Sequence, residues 1–268
     1  MKFLFINGSP HKGNTWKLSQ IVKENLIKID SSVEFEEIHL IKENIPFCIG
    51  CSNCFRLGYE KCPHYNKISP IIKYIEEADG VIFVSSTFNM KETALLKNLF
   101  DHLSFMLHRP YFFKSKSMII TTAGGVGAKS AAKSISATLK GIGFNRCYLF
   151  SVASFSWNAY KPKEKTIHKL SKITKKFYKD VKSKKLHYPK TSLLIPYNLF
   201  RGISLSYTKG SEYETEDGNF WTNPIRKDTV YDKDVPLLFI QKIIGNLFYF
   251  IGKTAGKIKS TQVTYKKI

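Results

Sequence analysis

The chain has 268 residues, of which 43% are hydrophobic, enough for a globular core, so disorder throughout is excluded. Its 42 Lys and Arg against 21 Asp and Glu leave a net charge of +21, and no apolar run approaches the roughly 18 residues of a membrane span. Five cysteines, four of them between Cys48 and Cys62, speak for metal or redox chemistry and against a secreted disulfide framework.

In chain order, strand-like apolar runs fall at 2–7, 33–40, 80–86, 117–123 and 147–154. Helical stripes lie between them. Leu18, Ile21, Val22 and Leu26 share a face, as do Ile68, Ile71, Ile72 and Ile75, with Pro70 expected near its helix start. Leu95, Leu96, Leu99, Leu103 and Met106 form a third stripe; Ala131, Ile135 and Leu139 form a fourth that stops at Gly141 and Gly143. The fifth helix, within 161–185, carries eleven lysines against Glu164 and Asp180, with Ile167, Leu170, Phe177 and Val181 on its apolar side. Five βα units imply an α/β fold with a parallel sheet covered on both faces. Ligands of such a sheet bind at the carboxyl ends of its strands, where loops 8–15, 86–93 and 122–128 emerge.

From about residue 186 the pattern changes, dividing the chain into a domain of residues 1–185 and a C-terminal extension of 186–268. Residues 212–218 read as a polar turn or exposed loop. Phe220, Trp221 and Tyr231 either line a pocket or, as aromatics in such segments more often do, staple the extension to the core. After Pro236 a stripe of Ile240, Ile243, Ile244, Leu247, Phe248 and Ile251 predicts an amphipathic helix. Packing on its own domain or on a dimer partner is the expectation for it; a membrane surface is the alternative.

The stretch Gly8-Ser9-Pro10-His11-Lys12-Gly13-Asn14-Thr15 follows directly on Phe3-Leu4-Phe5-Ile6. An apolar strand turning on glycine and small polar residues into a helix can hold a phosphate, because the helix N-terminus offers unpaired N–H groups and a partial positive charge. Ser9, Asn14 and Thr15 add side-chain donors. The same stretch also serves as an ordinary strand-to-helix turn. It is neither a Walker loop nor a dinucleotide fingerprint. His11 is expected to face solvent, and Lys12 either faces water or supplies charge to the phosphate. The lysine excess reads as a general cationic surface that draws in anionic cofactors, since no zinc finger, RNP motif or helix-turn-helix marks a specific nucleic-acid site.

Three features together resemble the NADPH-dependent FMN reductase family, of flavodoxin-like fold, over roughly the first 150 to 185 residues. They are Ile6-Asn7-Gly8-Ser9-Pro10-x-x-Gly13-Asn14-Thr15; Ala78-Asp79-Gly80-Val81-Ile82-Phe83-Val84-Ser85 followed by Leu96-Lys97-Asn98-Leu99-Phe100-Asp101; and Thr121-Thr122-Ala123-Gly124-Gly125. The resemblance implies a three-layer sandwich around a five-stranded parallel sheet. It places the FMN phosphate on Ser9, Pro10, Gly13, Asn14 and Thr15, and the ring between Ser86, Thr87, Phe88, Asn89 and Met90 on one side and Thr122, Ala123, Gly124 and Gly125 on the other. The chain departs from the family at Ser85-Ser86-Thr87-Phe88, where relatives carry Ser-Pro-x-Tyr. Phe88 keeps an aromatic ring there.

Cys48-x-x-Cys51-x-x-Cys54-x7-Cys62 resembles the iron–sulfur flavoprotein branch, which pairs FMN with a [4Fe–4S] cluster. Four thiolates at this spacing suit a cluster or zinc, and cysteine-rich loops without metal also occur. His64 reads as a surface residue, His102 and His108 have no partner visible in sequence, and Cys147 reads as a structural thiol.

The implied activity is FMN-dependent NAD(P)H oxidation with reduction of a flavin, quinone or nitro-type acceptor, with no catalytic side chain to name because the flavin carries the chemistry. One alternative is an iron–sulfur flavoprotein exchanging electrons with a ferredoxin-like partner. Another is a non-enzymatic protein that binds nucleic acid or a membrane surface. The expected acceptor is a small molecule or a protein, the expected assembly a homodimer or higher oligomer. The four apolar residues before Asn7 are too few for a signal peptide, and the expected location is the cytoplasm.

Overall fold

The computed structural model describes residues 1–211 and 214–258, apart from the side chain at 227. Its core is a parallel sheet in the order β2-β1-β3-β5-β6, formed by β1 (Lys2–Asn7), β2 (Glu34–His39), β3 (Gly80–Phe88), β5 (Lys116–Ala123) and β6 (Arg146–Ala153). A two-residue strand, β4 (Lys91–Glu92), folds back antiparallel on the end of β3. The five parallel strands in this 2-1-3-4-5 winding, with the reversal of direction between β1 and β3, are the flavodoxin-like arrangement.

Alternation along the strands builds two cores. Leu4, Ile6, Val81, Phe83 and Ile119 face a layer made by α4 (Tyr65–Glu77), α5 (Ala94–His102) and α7 (Ala128–Gly141). Phe3, Phe5, Ile82, Val84, Met118 and Ile120 face α1 (Asn14–Ile29) and α8 (Glu164–Ser183) on the other side. Successive residues of a strand point to opposite faces, so strands apolar on both sides must be covered on both sides. The smaller helices α2 (Leu40–Glu43), α3 (Asn53–Arg56) and α6 (Phe105–His108) sit in the connections. Pro70 is not near the start of α4 but six residues in, on the exposed side. There its missing N–H interrupts the helical ladder.

The extension is more helical than its prolines and aromatics predict. It contains α9 (Thr191–Ile203), α10 (Glu216–Thr222), α11 (Pro224–Lys227) and α12 (Phe239–Ala255). Part of the expected polar loop at 212–218 is therefore helix: Thr215 caps α10 by accepting from the Gly218 N–H. Residues 212 and 213 of that stretch lie outside the described residues. Trp221 is fully buried among Phe113, Leu194, Tyr197, Tyr231 and Val235, and its indole N–H donates to the His108 carbonyl at 3.0 Å. It staples the extension to the sheet domain and lines no open pocket. Trp221→Ala is expected to cost about 3–5 kcal/mol of stability in urea unfolding. A loss below about 1 kcal/mol would mean that the site collapses around the smaller residue.

The apolar stripe of α12 does not pack inward. The helix buries Gln241, Gly245 and Gly252 against its own chain, while Ile240, Ile243, Leu247 and Ile251 are exposed.

Candidate functional site

Loops from four places meet at the carboxyl ends of β1, β3, β5 and β6. The first runs from Gly8 into α1. Gly8 is tied to β3 by its N–H to the Val84 carbonyl, and its own carbonyl accepts from Thr93 Oγ1 at 2.5 Å. Four hydroxyls then converge from residues far apart in sequence. Ser9 Oγ lies 2.9 Å from Ser86 Oγ, Thr15 Oγ1 2.5 Å from Thr122 Oγ1, and Thr15 Oγ1 3.4 Å from Ser86 Oγ. The start of α1 behind them has no side-chain cap and no acid in its first turn. Its first N–H groups lack intrahelical acceptors, and its positive dipole end lies beside the cluster that Thr15, in its first turn, joins.

Ser9, Asn14, Thr15, Thr122 and Ala123 are buried; Pro10, Gly13, Ser86, Thr87 and Gly124 are half-buried; Phe88, Asn89, Met90 and Gly125 are exposed. Asn14 differs from the donor that the sequence predicts. Its amide donates to the Ser156 and Trp157 carbonyls at 2.9 and 3.3 Å, and its oxygen accepts from the Tyr160 N–H at 3.2 Å. It holds another loop in place. His11 and Lys12 are both exposed, with the Lys12 ammonium 5.0 Å above the Trp16 ring.

The loop Asn14 holds, residues 154–160, forms a fourth wall that sequence reasoning missed. Ser154 ties it to β5 through the Ala123 carbonyl. Phe155 and Trp157 stand almost wholly exposed, and Trp157 lies over Gly124, where an added Cβ would come within 3.3 Å of the indole. The signal available in sequence was the pair of aromatics just past the last strand. Opposite them, Asn89 and Met90 adopt left-handed backbone at the tip of the β3–β4 hairpin, and Gly127, at φ +96°, lets α7 begin against Met90. Phe88 and Met90 of the hairpin and Phe155 and Trp157 of the 154–160 loop are thus exposed at this end of the sheet, with Trp157 over Gly124 and Met90 against Gly127. The side-chain hydroxyl of Thr87 is buried there without a hydrogen-bond partner among the described residues. A planar aromatic ligand would meet aromatic side chains here, and an anionic tail would find the uncapped start of α1.

The second constellation lies after β2. Cys48, Cys51, Cys54 and Cys62 line one cavity of about 60 Å³ together with Gly50, His64 and His102. Cys48 is exposed and the other three are half-buried. Burial pushes the Cys54 thiol up to about 11, and the neighbouring Cys62 adds to the shift. The loop is wired to the sheet domain by buried side chains. Asn98 on α5 accepts from the Cys48 N–H and donates to the Ile45 and Pro46 carbonyls, and His102 Nε2 lies 2.9 Å from the Pro46 oxygen. Arg109 donates to the Cys54 carbonyl at 2.5 Å and pairs with Asp217 of α10 at 2.9 Å. His64 is not a bare surface residue: it is half-buried, edge-on to His102, and Cys62, His64 and His102 bring their ligand atoms within 4.8 Å of one another. His108, without a visible partner in sequence, bonds Asp217 at 2.7 Å and stacks on Phe200. Cys147 is half-buried in β6, away from this group.

Residues 1–154 match the NADPH-dependent FMN reductase family. An iron-sulfur flavoprotein of Clostridioides difficile (strain 630) is 32% identical over 182 residues, 67% of this chain and 79% of that protein. An iron-sulfur flavoprotein of Archaeoglobus fulgidus is 30% identical over 138 residues, half of this chain and 66% of that protein. Among solved structures, an azoreductase from Bacillus anthracis superposes with a TM-score of 0.51 at 18% identity, covering 66% of this chain and all of that one, a likeness of fold. No described helix is long and apolar enough to cross a membrane. With more than half of its length matched and its sheet wound in the flavodoxin-like order, the chain belongs to the NADPH-dependent FMN reductase family.

Proposed function

We propose that this protein is an FMN-dependent NAD(P)H oxidoreductase with a [4Fe–4S] cluster on Cys48, Cys51, Cys54 and Cys62, passing electrons to a small-molecule or protein acceptor. The observation that carries the reading is the meeting of Ser9, Thr15, Ser86 and Thr122 hydroxyls at the uncapped start of α1. Clustered hydroxyls beside helix N–H groups that lack an intrahelical acceptor suit a dianionic phosphate. FMN held by these residues would supply hydride acceptance from NAD(P)H and onward transfer of one or two electrons. The chain's own part is to hold the phosphate, to flank the ring with Phe88 and Trp157, and to leave one ring face open to the nicotinamide. No side-chain acid or base is required.

Four cysteines lining one cavity supply the four thiolates that a [4Fe–4S] cluster takes. Both relatives described above carry the name iron-sulfur flavoprotein, which supports a cluster over zinc. The close approach of Cys62, His64 and His102 is the observation that would favour zinc instead. The exposed Cys48 favours a second reading, an electron-transfer protein that meets a ferredoxin-like partner at this loop.

The test is an absorption spectrum with iron analysis of protein purified without oxygen. Flavin bands, a broad thiolate-to-iron band and about four irons per chain are expected. Flavin without iron would remove the cluster, and a colourless protein that takes up no added FMN would remove the reading altogether. Rapid NAD(P)H oxidation separates the enzyme from the electron-transfer protein, which would turn over only with a protein partner.

A further inference from the structure

We propose that the outward face of α12 is a docking surface for an anionic phospholipid bilayer. The helix is amphipathic in the reverse of the usual sense. Phe239 is 79% exposed, Phe250 60% and Leu247 55%, with Ile240, Ile243 and Ile251 exposed beside them. At 3.6 residues per turn these six side chains fall within one third of the helix circumference. Lys242 and Lys253, both exposed, lie along one border of that sector.

The inversion is built in by glycine. A Cβ on Gly252 would come within 2.4 Å of the Leu199 carbonyl oxygen, and one on Gly202 of α9 within 2.3 Å of the Tyr249 oxygen. α9 and α12 therefore touch backbone to backbone. At Gly245 the space that a Cβ would need is taken by the side chains of Val230 and Asn198. The inward face of α12 is committed to this contact, so its large apolar residues have only the outside to occupy. A contiguous apolar patch of this kind on a charged protein marks an interaction surface.

Charge selects the occupant. From residue 235 to residue 268 the sequence contains six lysines and no Asp or Glu, within a chain of net charge +21. A second copy packed on the same face would bring Lys242 and Lys253 against lysines. An anionic lipid surface takes the lysines at its headgroups and the phenylalanines, leucine and isoleucines at the acyl boundary. The helix has 17 residues and is too short and too often interrupted by glycine and lysine to span, so it lies in the plane of the interface.

Vesicle flotation of the full-length, flavin-loaded protein tests this. Strong co-flotation is expected with vesicles of phosphatidylcholine carrying about one-third phosphatidylglycerol, and at least tenfold weaker binding with phosphatidylcholine alone or at about 1 M salt. The double variant Ile243→Asp/Leu247→Asp, at exposed positions, should lose vesicle binding at least tenfold on the basis of the lost apolar insertion, with its flavin spectrum and far-UV circular dichroism unchanged. Lys242→Glu/Lys253→Glu should weaken binding to the anionic vesicles alone. Three results would overturn the proposal. One is no flotation with anionic vesicles. Another is flotation untouched by the Asp substitutions, which would mean mere adhesion of surface lysines. The third is a solution dimer that the Asp substitutions turn into a monomer, which would make a second copy the occupant.

Discussion

Thr15→Asp is expected to abolish FMN retention while leaving the fold intact. Thr15 sits in the first turn of α1, buried, with its hydroxyl against Thr122 and Ser86. A carboxylate there accepts from those hydroxyls and faces the positive end of the helix dipole, a favourable place for negative charge. It occupies by covalent attachment the position proposed for the phosphate. Like charges about 4 Å apart near a protein surface repel by about 4 kcal/mol, which is about a thousandfold in affinity. Titration of apo-protein with FMN should therefore show affinity lower by at least about 10³, with a melting temperature equal to or above that of the unsubstituted apo-protein. Thr15→Val, which removes one hydrogen bond to a charged group, should cost only about 1.5–3 kcal/mol of binding. An Asp variant that still retains FMN would place the phosphate elsewhere. The ring walls at Phe88 and Trp157 would then need a different ligand.

Cys62→Ser is expected to empty the proposed cluster site without emptying the proposed flavin site. Cys62 lines the same cavity as Cys48, Cys51 and Cys54, and none of these four contributes to the hydroxyl cluster at α1. Iron should fall from about four per chain to well below one, with loss of the broad visible band, while FMN content stays near one per chain. Equal flavin and iron loss would mean that the two sites share structure. Unchanged iron would assign the ligands to other residues, with His64 and His102 the first to examine because of their closeness to Cys62. The loop itself should persist in the variant. Its anchors are Asn98 and His102 beneath it and the Arg109–Asp217 pair beside it, none of which depends on a thiol.

The Arg109–Asp217 pair also shows what the extension does for the cysteine loop. Arg109 is 6% exposed and Asp217 8%, and the guanidinium holds the Cys54 carbonyl with one arm and Asp217 with the other. Breaking a buried pair leaves an uncompensated charge in a low-dielectric setting. The 186–268 segment thus reaches the candidate metal site through α10, although its own sequence carries no ligand type in a recognisable spacing.

What the sequence determined by itself was local and periodic. The central strands are short apolar runs, and a run apolar on both faces demands layers on both sides, while β2, with three glutamates, lies at the sheet edge. The proposed phosphate loop is eight consecutive residues, and the candidate cysteine site is a spacing within fifteen residues. Each signal is complete within one stretch of chain. The tertiary structure decided the rest, because those decisions join residues with no local relation. The Thr15–Thr122 contact spans 107 residues. Asn14 reads as a phosphate donor until Ser156, Trp157 and Tyr160 take up its amide. Lys116 is 2% exposed, against every expectation for a lysine, because Asp180 of α8 lies across the sheet to pair with it. The stripe of α12 shows the limit most plainly. Periodicity tells which side of a helix is apolar, but glycine lets backbone pack on backbone, and that close contact, not the apolar side chains, chose the face that turns inward.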